Sequence, residues 1–114
     1  MAGLPKSLRK TEQRLLTAAR DGVWLDLRVG DPKKDDPANG ANWPVSRTIR
    51  AEVIYHLLAD RPNTRKVHAK GVRLFGARVE GQLDFESARL DRPMWLFGCY
   101  FAAPIIFQDA KAGP

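Results

Sequence analysis

The sequence predicts a mainly β fold, a small solenoid of about two coils over residues 67–114 preceded by an α-helical N-terminal cap over residues 1–66. Three observations carry that expectation. First, four sets of residues recur every 11 positions: Val72, Leu83, Met94, Ile105; Leu74, Phe85, Leu96, Phe107; Ala77, Ala88, Cys99, Ala110; and Val79, Leu90, Phe101, Ala112. All sixteen are apolar in a chain that is 44% apolar. Second, the four positions of each copy would point to opposite faces of a helix at about 100° per residue, whereas in extended chain they make two inward, outward, inward triplets. Third, Gly71, Gly76, Gly81, Gly98, Pro93 and Pro104 fall inside the run, where they are costly in a helix and suited to corners. Two copies then make one turn of 22 residues that stacks on the next by strand hydrogen bonds. Ala77, Ala88, Cys99 and Ala110 alternate with large residues, as a narrow interior requires.

The segments Gly76-Ala77-Arg78-Val79-Glu80, Ser87-Ala88-Arg89-Leu90-Asp91 and Gly98-Cys99-Tyr100-Phe101-Ala102 resemble pentapeptide repeats. That resemblance implies a right-handed, four-sided β-helix. Ile49-Arg50-Ala51-Glu52-Val53-Ile54 followed by Gly71-Val72-Arg73-Leu74-Phe75-Gly76-Ala77-Arg78-Val79 is similar to the beginning of longer actinobacterial proteins labelled membrane-associated oxidoreductases. The label implies redox activity, yet none of these residues supplies redox chemistry, and the residues themselves predict neither an enzyme nor a cofactor.

Before the repeat, Thr11 is placed to cap a helix with apolar positions Leu15, Leu16, Ala18 and Ala19, which Asp21-Gly22 would stop. Val23 to Val29 alternates apolar and polar residues as a short strand does, with Trp24 read as core. Residues 30–44 are dense in Gly, Pro, Asp and Asn and form a polar surface loop, pinned by Trp43. Asp31, Asp35 and Asp36 do not match a calcium loop, because the sixth position from Asp31 is Asp36 and not Gly. No metal site is expected. Ser46 or Thr48 would cap a second helix carrying Ile49, Val53, Ile54, Leu57 and Leu58, ended by Arg61-Pro62-Asn63. The two helices are expected to cover the first coil, since an exposed strand end invites pairing.

Composition narrows the function. The chain has 114 residues, one domain's worth, and a net charge of +6 that is divided equally on either side of Pro62. It therefore has no acidic rod that could imitate DNA and no basic tail. One cysteine excludes an internal disulfide and fits a reducing cytoplasm. The longest apolar run, Met94 to Phe107, is shorter than the roughly 20 residues a spanning helix needs. Gly71, Gly76 and Gly81 match neither a dinucleotide fingerprint nor a phosphate loop. Cys99 with His56 or His68 could form a nucleophilic pair, but the repeat turns the thiol inward.

What remains is interaction chemistry. In the repeat's second turn the outward positions become Trp95, Phe97, Tyr100 and Ile106, with Phe97 beneath Phe75, which makes one side apolar and aromatic. The expected function is a scaffold or protein-interaction module whose C-terminal coil is covered by a second copy, a larger protein or a membrane surface, in that order. A basic rim of Arg61, Arg65, Lys66, Lys70 and Arg73 supplies the alternative, binding of nucleic acid or an anionic membrane surface.

Overall fold

The computed structural model describes residues 4–112. Helix α1, Lys10–Asp21, buries Thr11, Glu12, Leu15, Ala18 and Ala19 on one face. It starts two residues earlier than a Thr11 cap would allow, because the Glu12 carboxylate reaches back to the Arg9 N–H at 2.8 Å. Thr11 instead donates its hydroxyl to the Thr48 carbonyl at 2.8 Å. Gly22 closes the helix with φ 71°, a left-handed conformation that a side chain resists.

The alternating stretch after α1 yields only strand β1, Leu25–Asp26, and the loop that follows contains a 3-10 turn over Pro37–Asn42. Strand β2, Thr48–Arg50, runs straight into helix α2, Ala51–Ala59, so neither Ser46 nor Thr48 is its cap. The short helix α3, Arg61–Thr64, follows. The repeat then forms β3 (Val72–Phe75), β4 (Arg78–Glu80), β5 (Arg89–Leu90), β6 (Met94–Phe97), β7 (Tyr100–Phe101) and β8 (Lys111–Ala112).

All of these strands pair in parallel. Val72 faces Met94, Arg78 faces Tyr100 and Arg89 faces Lys111, an offset of 22 residues each time. Sheets β1-β3-β6 and β2-β4-β7 have three strands each, and β5-β8 has two. Gly71 sets the start of the first ladder. Its φ of 78° lets the Val72 N–H reach the Pro93 carbonyl at 3.0 Å, and a Cβ there would lie 1.9 Å from that oxygen.

The expected mainly β, right-handed four-sided solenoid with a helical cap is not what forms. Among the described residues no strand exceeds four residues, while α1 has twelve and α2 nine, and the strands fall into small separate sheets without closing a coil. The product is a mixed α/β unit with one core. Leu15, Ile54, Leu57 and Leu58 from the helices share it with Val72, Leu74, Val79, Leu83 and Phe85 from the repeat. The physical reason is the number of passes. Two passes of short strands cannot bury their own inward residues, so the first pass is covered by α1, α2, β1 and β2, while Met94, Leu96, Cys99, Phe101 and Ile105 in the second are only partly buried.

The N-terminal segment is tied down through charge. Glu12 is fully buried, and its carboxylate accepts from the Arg50 Nε at 2.9 Å, Nη2 at 2.6 Å and backbone N–H at 3.0 Å. Arg9, at the helix start, donates both guanidinium ends to Glu80 of β4 at 3.2 and 3.1 Å. Truncating Arg50 would leave a buried, unpaired carboxylate, so Arg50→Ala is expected to lower unfolding free energy by about 3–5 kcal/mol in denaturant titration. Gly71→Ala is expected to cost at least about 2 kcal/mol by the same measurement, through strain at a left-handed position.

Candidate functional site

The described residues carry their largest exposed apolar side chains on the second pass. Trp95 is 44% exposed, Phe97 46% and Phe107 47%. Phe97 belongs to an aromatic ladder that crosses sheet β1-β3-β6. Trp24 stacks on Phe75 at 4.7 Å between ring centroids and lies 5.6 Å from Phe97, Phe75 lies 5.7 Å from Phe97, and Trp95 meets Phe97 edge-on at 6.1 Å. Trp24 is therefore half-buried on an outer face, and its expected place in the core is corrected.

Two guanidiniums frame this ladder. Arg28 lies 4.2 Å over the Phe75 ring and is held there by Asp26, which takes its Nε and Nη2 at 2.9 and 2.7 Å. Those hydrogen bonds, opposed by partial burial, hold the Asp26 carboxyl below the usual range. Arg73, opposite Trp95 in the ladder, places its guanidinium 5.4 Å from the Trp24 ring.

The structure brings Phe75, Trp95 and Phe97 together and separates the other two predicted interface residues. Tyr100 sits on the next sheet, packed so closely beneath the 3-10 turn that a Cβ on Gly40 would come within 2.1 Å of its own. Ile106 bridges to Asp84 on a third side and is half-buried. The predicted basic rim is likewise divided. Arg61 and Arg65 line one cleft, Lys66 lines a groove between α1 and α2, Lys70 is exposed in the turn before β3, and Arg73 joins the aromatic face.

Sequence reasoning missed the places of Trp24, Arg28 and Arg47. Arg47 gave no signal in the sequence. It is buried, donates to the Gly76 carbonyl at 3.1 and 2.8 Å and to Asp35 at 3.0 Å, and lies 3.7 Å over the Trp43 ring. The Asp35 carboxylate also accepts the backbone N–H groups of Val29, Gly30 and Asp31 at 2.9, 2.9 and 3.1 Å. Those donors, working against desolvation and joined by the Arg47 charge, lower its pKa. The polar loop is thereby fixed against the β3–β4 corner.

Cys99 is half-buried, its Sγ lying 3.5 Å from the Phe97 carbonyl and 3.8 Å from that of Leu74. Burial pushes the thiol's pKa up. Of its two candidate partners, His56 is buried on α2 within 3.4 Å of Asp60, and the His68 ring accepts from the Lys70 N–H at 3.0 Å. Neither histidine hydrogen-bonds the thiol. No helix among the described residues is long and apolar enough to cross a membrane. Comparison with family models, curated proteins and solved structures finds no match for this chain. Cys99 is expected to react with a disulfide reagent at pH 8 at least about tenfold more slowly than free cysteine, a rate that spectrophotometry reads directly.

Proposed function

We propose that this protein is a non-enzymatic, cytoplasmic interaction module that associates with a second copy of itself through the second pass of its repeat, residues 94–112. The observation that carries this reading is the side-by-side exposure of Trp95 and Phe97, at 44% and 46%, next to the half-buried Phe75 and Trp24. Large aromatic side chains contribute disproportionately where two proteins meet.

Two further features support the reading. Among the described residues β6, β7 and β8 each pair on one side only, so the end of all three sheets offers free N–H and C=O groups together with the partly buried Met94, Leu96, Phe101 and Ile105. The charge pattern then favours a second copy. The chain is +6, yet residues 94–112 hold one acidic residue, Asp109, and one basic residue, Lys111. Two copies meeting at this end bring no net like charge together, and the apolar, hydrogen-bonding surface is complementary to itself.

Light scattering coupled to size-exclusion chromatography tests the idea. Wild-type protein is expected to run as a dimer at micromolar concentration, and Trp95→Glu, which adds a charge to each side, as a monomer with unchanged circular dichroism. A wild type that stays monomeric at high concentration would refute it.

A further inference from the structure

We propose a second, independent site: a cleft of about 220 Å³ between α3 and the corner joining β5 to β6, lined by Arg61, Thr64, Arg65, Asp91 and Arg92, that binds a phosphate group. It gathers three arginines that no carboxylate among the described residues neutralises. Arg9, Arg20, Arg28, Arg47, Arg50 and Arg89 each meet a carboxylate. Among the described residues Arg61, Arg65 and Arg92 meet none, although they share one small cleft.

The arrangement comes from the fold. Arg61 and Arg65 are one helical turn apart, with the Arg65 N–H bonded to the Arg61 carbonyl, so both project on the same side. Arg92 arrives from the repeat and is held in place, its Nε donating to the Val67 carbonyl at 2.9 Å and its Nη1 to the Asp91 carbonyl at 2.9 Å. Its Nη2 has no protein acceptor among the described residues. The cleft's one acid, Asp91, turns its carboxylate to within 3.7 Å of Arg89, outside the lining, and its backbone N–H bonds the Leu58 carbonyl at 3.1 Å.

Three guanidiniums, with the one neighbouring carboxylate drawn to Arg89, leave the cleft a net positive charge suited to a dianionic phosphate monoester. Guanidinium is the side chain whose planar, paired donors fit phosphate oxygens. Arg92, already held in place, needs no reorganisation to receive the anion, whereas the exposed Arg61 and Arg65 close on it from α3. The phosphate could belong to a free small molecule or to a lipid headgroup.

Calorimetric titration with pyrophosphate and flotation with phosphatidylcholine vesicles, with and without phosphatidic acid, separate those sources. Binding to pyrophosphate that weakens about tenfold in Arg61→Gln and in Arg65→Gln, as expected when one charge-assisted contact is lost, assigns the site to a soluble phosphate. Binding only to vesicles containing phosphatidic acid, weakened to the same degree by the same variants, assigns it to a headgroup. Both substitutions are at exposed positions, and Arg92→Gln adds the anchored residue. Double substitution Lys33→Gln, Lys34→Gln removes equal or greater charge elsewhere and should leave binding unchanged. No binding to either probe, or equal loss in the lysine variant, overturns the proposal.

Discussion

A carboxylate without solvent exposure sits where helix α1 meets the junction of β2 and α2, and those three elements are joined by how it is satisfied. Burial by itself would raise the Glu12 pKa, but hydrogen bonds from the Arg50 side chain, from the Arg9 and Arg50 N–H groups, and the Arg50 charge outweigh it and bring the pKa down to about 2. An isolated ion at such a depth is costly by several kcal/mol, so α1, β2 and the start of α2 are stable only when assembled together. Arg50 stands opposite Glu80 in the β2-β4 register, and the Glu80 carboxylate takes both ends of Arg9, so a second ion pair fastens the start of α1 to the repeat.

That fastening explains the asymmetry of the molecule. The first pass of the repeat is buried by helices and by β1 and β2, which continue its sheets in parallel, while nothing among the described residues continues the sheets beyond β6, β7 and β8. The interaction surface and the arginine cleft are both consequences. One is the uncovered end of the repeat, and the other is the seam where the helical segment turns into it.

The repeat was legible because its signal is apolar and periodic. An 11-residue period, taken twice, specifies the 22-residue register that places Phe97 beneath Phe75. The helices' share of the core was not legible in the same way. Periodicity reports which residues turn inward and leaves open how much of their surface two short passes can cover. Buried charge was harder still, since Glu and Arg are ordinarily exposed, and nothing local distinguishes Glu12, Arg47 and Arg50 from solvated neighbours. Tyr100 was misplaced for a related reason: its outward position in the repeat was read correctly, but a loop from residues 30–44 returns over it.

The most direct test of this account is the titration of the Glu12 carboxyl itself, followed by carbon-detected NMR with unfolding free energy measured over the same pH range. Folding lowers the pKa from 4.5 to about 2, so its stabilisation is complete above pH 4.5 and is lost as pH falls from there toward 2. The account predicts a carboxyl midpoint near 2 and a loss of the order of 3 kcal/mol across that interval, absent from Glu12→Gln. A midpoint at the ordinary 4.5, with the same acid dependence in both proteins, would contradict it.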